Sequence, residues 1–335
     1  MDIENKRQPE ALEQLVKIYV ARRELVQVLK RELLRGESEV KLEEAEILLG
    51  LFRAKTGEYP AIPLDGKEFT GLKQIEAAQM LSQSQIHRRV RGLINSKYLE
   101  EKLPRRATGP IKVRLTEKGE AFAQQYWKDY KRLASMLLEG VDASERRSHL
   151  LVNDTIQRKI LGMSMPRSAP SQKVEPIESL MSVFAAAKAL RRAIESAVVL
   201  PEDKLSVERV DLLVYLYTQR GEFASFGQMQ RNLVHSFSAS RHLISRWISD
   251  MGPEKDGGKG YVKSQRMDKG GKRMEAAITQ KGCGVVEPIL NRYRKLEENL
   301  LAGISPQDRN AHLRVSKAII NSIRPTLKDL VSAAD

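Results

Sequence analysis

The chain has 335 residues, 41% of them apolar and 30% charged, enough for two or three domains that each bury a core. No stretch approaches the roughly 18 apolar residues of a membrane span, and Met1-Asp2-Ile3-Glu4 opens no apolar leader. A lone cysteine, Cys283, excludes a disulfide framework and a cysteine-rich zinc site; the expectation is a soluble cytoplasmic protein, nucleoid-associated if it binds DNA, with no membrane partner, no cofactor and no metal.

The net charge of +14 is concentrated in two places. Residues 81–118 hold ten Lys/Arg against three Asp/Glu, and residues 231–282 hold eleven against five. A solvated surface would spread such an excess, whereas two separate basic patches in a near-neutral chain are the electrostatic footprint of a nucleic-acid binder.

In chain order, a first helix is expected over residues 10–35, with Leu12, Leu15, Val16, Ile18, Tyr19, Leu25, Val26 and Leu29 at helical spacing. A second, Lys41 to Lys55, closes on Gly57-Glu58-Tyr59, where glycine supplies the C-terminal turn, and a Pro/Gly/Asp-rich loop runs from Pro60 to Phe69. A short helix from Gly71 to Met80 leads into Ser84 to Ile94. There Ile86, Val90, Leu93 and Ile94 share one face, and His87, Arg88 and Arg91 face out. Lys97-Tyr98-Leu99 and Val113-Arg114-Leu115-Thr116-Glu117-Lys118-Gly119 flank a basic tip at Pro104-Arg105-Arg106, which reads as a small hairpin. A helix with an outward basic face followed by a basic hairpin is the plan of a winged helix-turn-helix.

The same plan is then written a second time. Ile177 to Val199 matches the first helix, Ser206 to Gln219 with Gly221-Glu222-Phe223 the second, and Phe226 to Val234 the third. Ser238 to Ile248 matches Ser84 to Ile94, and Ala277-Ile278-Thr279-Gln280-Lys281-Gly282 closes the second hairpin. The tails agree most closely: Tyr130, Leu133, Leu137, Leu138, Gly140, Val141, Glu145, Arg146, His149, Leu150, Val152 and Ile156 recur 163 residues later as Tyr293, Leu296, Leu300, Leu301, Gly303, Ile304, Asp308, Arg309, His312, Leu313, Val315 and Ile319. Each tail reads as a long helix, a glycine break, a capping turn (Asp142 to Glu145; Ser305 to Asp308) and a second helix. Two domains are expected, 1–161 and 177–335, joined by a linker over 162–176. The glycine-rich turn Pro253 to Lys259 is no phosphate loop, since it lacks the Gly-Lys-Ser/Thr ending and a preceding buried strand.

Each half resembles the multiple-antibiotic-resistance regulator (MarR) family of winged helix-turn-helix transcription factors. The resemblance rests on Gly71-Leu72-x-x-Ile75-x-x-Ala78 leading into Ser84 to Ile94, on Tyr98-Leu99, and on Val113 to Gly119 after the hairpin. In the second copy it rests on Ile278-Thr279-Gln280-Lys281-Gly282 and on Asp268-Lys269-Gly270-Gly271-Lys272-Arg273. It implies a mainly α fold with small β-wings: tandem winged helix-turn-helix domains forming an intrachain pseudo-dimer through the N- and C-terminal helices, monomeric unless pseudo-dimers associate further. The first wing carries Pro104-Arg105-Arg106-Ala107 where the family commonly has an Asp-x-Arg arrangement.

In such a fold the second helix of the pair enters the major groove and the wing reaches a neighbouring groove or the backbone. That assigns DNA contacts to Ser84, Gln85, His87, Arg88 and Arg91 on the first helix and Arg105 and Arg106 on its wing. In the second copy it assigns Ser238, Ser240, Arg241, His242 and Ser245 to the helix and Lys269, Lys272 and Arg273 to the wing. The two helices differ at almost every outward position, so the expected operator is asymmetric, its half-sites about one helical turn apart. The expectation is a sequence-specific regulator of transcription, a repressor, and not an enzyme, since no nucleophile, metal or nucleotide constellation is present. The alternatives are a plasmid or phage replication initiator or partition protein, and a winged-helix module that binds other proteins. The resemblance also implies a small-molecule effector pocket near Tyr19, Leu51, Phe52 and Tyr126, although the residues themselves read first as plain core. Cys283 is expected to be a quiet structural thiol, and His149 and His312 to serve helix packing or capping.

Overall fold

A computed structural model describes residues 13–34, 40–57, 69–79, 83–102, 111–163, 174–199, 204–233, 240–266 and 274–331. The first copy runs α1 (Glu13–Glu32), α2 (Leu42–Thr56), β1 (Thr70–Gly71), α3 (Leu72–Gln79), α4 (Gln83–Asn95), β2 (Leu99–Lys102), β3 (Lys112–Leu115), α5 (Glu117–Leu137) and α6 (Ala143–Leu161). The second runs α7 (Pro176–Ala197), α8 (Val207–Thr218), β4 (Ala224–Ser225), α9 (Phe226–Asn232), α10 (Arg241–Met251), β5 (Val262–Arg266), β6 (Met274–Ile278), α11 (Gln280–Leu301) and α12 (Pro306–Val331). The described residues are mainly helical, with two small antiparallel three-stranded sheets among them, ordered β1-β3-β2 and β4-β6-β5.

The expected helices are present with boundaries shifted by a few residues, and their ends follow from local chemistry. Asp142 caps α6 by accepting from the Glu145 amide at 2.8 Å, and Ser305 caps α12 by accepting from the Asp308 amide at 3.1 Å. Gly140 and Gly303, which break the tails, both take left-handed φ values, +77° and +79°. Two elements depart from the sequence expectation. Gly71 belongs to β1 and not to a helix, because Thr70 and Gly71 pair with Val113 and Lys112 before α3 begins; Ala224 and Ser225 do the same against Ala276 and Glu275. The end of the expected linker is also fixed. Val174 is 1% exposed, its carbonyl accepts from Arg146 Nε at 3.0 Å, and Pro176 is the first residue of α7. The rest of that stretch, 164–173, lies outside the described residues, as does the loop expected over Pro60 to Phe69 up to residue 68.

By contact the chain divides into two compact units, Glu24–Gly140 with Asn321–Asp335, and Met1–Arg23 with Val141–Ile320. These are not the two sequence halves: the tail helix of the first copy, α6, packs along the first helix of the second, α7. In the first unit Ile47, Leu48, Ile75, Ile86, Leu93, Leu99 and Val113 form the core under α2, α3, α4 and the sheet. An aromatic seam continues it along α5: Tyr98 meets Phe122 edge-on at 5.5 Å, Phe122 stacks on Tyr126 at 6.0 Å, and Tyr126 meets Tyr130 at 6.1 Å.

In the second unit Leu180, Val183, Leu190, Leu213, Leu216, Ile244, Val286, Ile289, Val315 and Ile319 are buried, and a polar cluster sits among them. His149 and His312, matched positions of the two tails, stack at 4.8 Å with a 16° tilt, both fully buried. Asn153 ties them together. Its Oδ1 accepts from His312 Nε2 at 3.2 Å, and its Nδ2 donates to Ser182 Oγ at 2.9 Å and faces His149 Nε2 at 3.4 Å. With Nε2 of His149 facing that donor, its Nδ1 carries the proton and donates to Ser179 Oγ at 2.7 Å. Burial, with His312 alongside, pushes His149 well below the usual imidazole range, and burial pushes His312 down to about 3. Both rings pack neutral, His149 bonded through Nδ1 to Ser179 and His312 through Nε2 to Asn153.

Candidate nucleic-acid interface

In each copy the same three hydrogen bonds join the start of the helix after the hairpin to the residues that lead into the hairpin. Thr116 caps α5 by accepting from the Gly119 amide at 3.1 Å, donates its hydroxyl to the Lys97 carbonyl at 2.7 Å, and gives its own amide to the Tyr98 carbonyl at 3.2 Å. Thr279 repeats each contact in the second copy, with Gly282 at 3.1 Å, Gly260 at 2.7 Å and Tyr261 at 3.0 Å. The glycine of the phrase is required sterically: a Cβ on Gly119 or Gly282 would overlap the carbonyl oxygen of Tyr98 or Tyr261. The Thr-x-x-Gly phrase is therefore a joint that presses the helix start onto the root of the hairpin. Lys118 and Lys281 close it from outside, their ammonium groups 4.1 and 5.5 Å from the Tyr98 and Tyr261 rings.

On α4, Ile86, Val90 and Leu93 are buried, and Ser84, Gln85, Arg88 and Arg91 are exposed as the spacing requires; His87 is half-buried. Arg91 approaches Glu101 of β2 at 4.0 Å, too long and too exposed to fix it. The inner flank faces α2, where Arg89 pairs with Glu43 at 3.3 Å. Helix α4 contains no acidic residue, so its outward face presents cations and polar groups only.

On α10, Ile244, Trp247, Ile248 and Met251 are buried, while Arg241 and His242 are exposed and Ser245 is half-buried. Ser240 is the N-cap, its hydroxyl accepting from the Leu243 amide at 3.3 Å, so it sits at the helix entrance and not on a helical face. The one acidic residue of α10, Asp250, is engaged by Arg209 of α8. Among the expected contact residues, Arg105, Arg106, Ser238, Lys269, Lys272 and Arg273 lie outside the described residues.

Aromatic side chains steady the basic strands beside both helices. Lys102 and Arg114 each lie 5.0 Å from the Phe69 ring, and Lys263 lies 5.2 Å from the Phe223 ring. Each pair is worth about 0.5–1 kcal/mol at an exposed site, enough to bias a long side chain's rotamers without immobilising it.

No protein-family model matches the chain, and no curated protein matches it in sequence.

Beside the expected contact residues the structure exposes two that the sequence pattern did not single out. Arg246 is exposed one turn beyond His242, and Leu243 is exposed beside Arg241 and His242. The signal for Arg246 was available as its i,i+4 spacing from His242, but its partner in the first copy is Gly92, which lies against Glu44 of α2 and has no side chain to compare.

Of the residues expected around an effector pocket, Tyr126 is buried in the aromatic seam and Tyr19 is buried in the other unit. Leu51 lines a cleft of about 570 Å³ with Lys55, Lys97, Glu100, Arg114 and Lys118, where Arg114 pairs with Glu100 and Lys55 with Glu120. Cys283 is half-buried, and burial together with Glu287 raises its thiol above the usual range, the opposite of an activated nucleophile. Among the described residues no group of histidine, cysteine or carboxylate side chains could hold a metal ion, and no helix is long and apolar enough to cross a membrane.

Proposed function

We propose that the chain is a sequence-specific double-stranded DNA-binding regulator of transcription, a repressor, that reads an asymmetric operator with two unlike winged helices carried on one polypeptide. Its resemblance to the MarR family supplies the plan: α3–α4 and α9–α10 are the helix-turn-helix pairs, β2–β3 and β5–β6 the wings, and the remaining helices join the copies as an intrachain pseudo-dimer. The observation that carries the reading is the repeated, acid-free outward face. Arg88 and Arg91 on α4, and Arg241, His242 and Arg246 on α10, stand exposed, and the single carboxylate on either helix is already neutralised.

The energetics follow from this arrangement. The cations supply salt-dependent attraction to phosphates, and an arginine bidentate to guanine supplies about 1–3 kcal/mol of base discrimination. Six to ten phosphate contacts would make binding fall by about three to five orders of magnitude between 50 and 200 mM salt. The experiment is selection from random duplex DNA by the full chain at moderate salt, repeated with Arg88→Ala and Arg241→Ala. The expected result is an asymmetric motif in which each substitution relaxes one half only. Salt-sensitive binding with no enriched motif, indifferent to both substitutions, would refute the reading.

A further inference from the structure

Leu243 stands in the first turn of α10 with 41% of its surface open to water, on a helix whose other large apolar residues are buried. Arg241, His242 and Arg246 surround it on the helix, all exposed and without an ion-pair partner among the described residues. Superposing the two helices on their buried positions, Val90 with Ile244 and Leu93 with Trp247, sets Arg89 against Leu243. Arg89 is turned onto Glu43 at 3.3 Å; the matching carboxylate, Glu208, is instead held by Arg191 of α7 at 2.6 Å. Position 243 is thus freed from the ion pair its counterpart makes, and it presents an apolar group.

The occupant is constrained by these surroundings. An apolar protein patch needs contiguous apolar neighbours, whereas the exposed side chains flanking Leu243 on α10, among the described residues, are the cations and imidazole of Arg241, Arg246 and His242. The fitting partner is a small apolar group set in an anionic surface. In the major groove of duplex DNA that group is the thymine C5-methyl, the apolar feature of a base edge, and residues in the first turn of a reading helix are the ones that reach base edges. We infer that Leu243 packs on a thymine methyl in the half-site read by α10, and that the half-site read by α4 has no such contact. The inference rests on the DNA-reading function proposed above.

The test uses the full chain and its selected operator, with each thymine replaced singly by deoxyuridine, which removes only the methyl group. One replacement in the α10 half-site weakens wild-type binding about three- to tenfold, the effect of exposing one methyl and its apolar partner, and leaves Leu243→Ala unaffected. Leu243→Ala itself loses the same factor on the unmodified operator, and replacements in the α4 half-site change neither protein. An operator whose α10 half is enriched yet tolerates every replacement, or contains no thymine, overturns the assignment while leaving DNA reading intact. Failure to select any motif overturns both.

Discussion

The two copies agree where they touch themselves and disagree where they face outward. Thr116, Gly119 and Tyr98 make the same joint as Thr279, Gly282 and Tyr261, atom for atom, and both sheets have the same strand order. In sequence His87, Arg88 and Arg91 match Arg241, His242 and Ser245, while Arg89 and Gly92, which lie toward α2, are replaced by the exposed Leu243 and Arg246. A joint of fixed geometry beneath an outward face of different chemistry is what two reading heads of different specificity require, whereas two copies serving one symmetric site would need like faces.

The largest effect of a single substitution is expected where the copies agree. Gly119→Ala and Gly282→Ala each force a Cβ onto a backbone carbonyl that cannot retreat without parting helix and hairpin. Each should cost about 3 kcal/mol, seen in denaturant unfolding of the full chain. A much smaller loss in one copy would show that the two joints are not equivalent.

The acid response of the stacked pair accumulates over pH and is read separately from the effect of any single substitution. His149 and His312 are depressed in the folded chain, so the unfolded chain takes up protons first as pH falls through about 6.5. Stability is full above that value and declines toward the folded pKa, about 3 for His312, by at most about 1.4 kcal/mol per pH unit for each ring. Thermal unfolding between pH 7.5 and 4.5 should show this slope, and the His149→Leu, His312→Leu double variant should flatten it. An unchanged slope would mean that other groups carry the acid sensitivity.

Arg88→Ala and Arg241→Ala follow, each expected to weaken binding by about 1–3 kcal/mol at its own half-site and to leave unfolding midpoints within about 0.5 kcal/mol of wild type. The smallest effect concerns the turn before each hairpin. Gly260 takes φ +73° without strain, but Lys97 occupies the same place at φ +62°. Lys97→Gly should therefore gain about 0.5–1 kcal/mol in unfolding measurements, and a loss would mean that the lysine side chain is needed at the joint.

The elements legible in the sequence are those fixed by local chemistry. The amphipathic periods of α4 and α10, the caps at Asp142 and Ser305 and the glycine breaks at Gly140 and Gly303 are all written in consecutive residues. Strands β1 and β4 were not legible, because two residues have no alternation to read and exist as strands only through pairing with β3 and β6. The polar contacts of Asn153, Ser179 and Ser182 between α6 and α7 were not legible either, since they span about thirty residues and have no local pattern; only the joining of terminal helices in general was expected. At the candidate site, the helix positions were legible from spacing. Leu243 was not, because an exposed leucine in a helix of period 3.6 reads as core until its neighbours show which face it occupies.

The most direct test of two unlike heads compares three duplexes: the selected operator, a palindrome of its left half and a palindrome of its right half, titrated with the full chain at one salt concentration. Two distinct heads predict that the asymmetric operator binds at least tenfold more tightly than either palindrome. Equal affinity for a palindrome and the operator would contradict the account, because it would mean that the two outward faces read the same sequence or that only one reads at all.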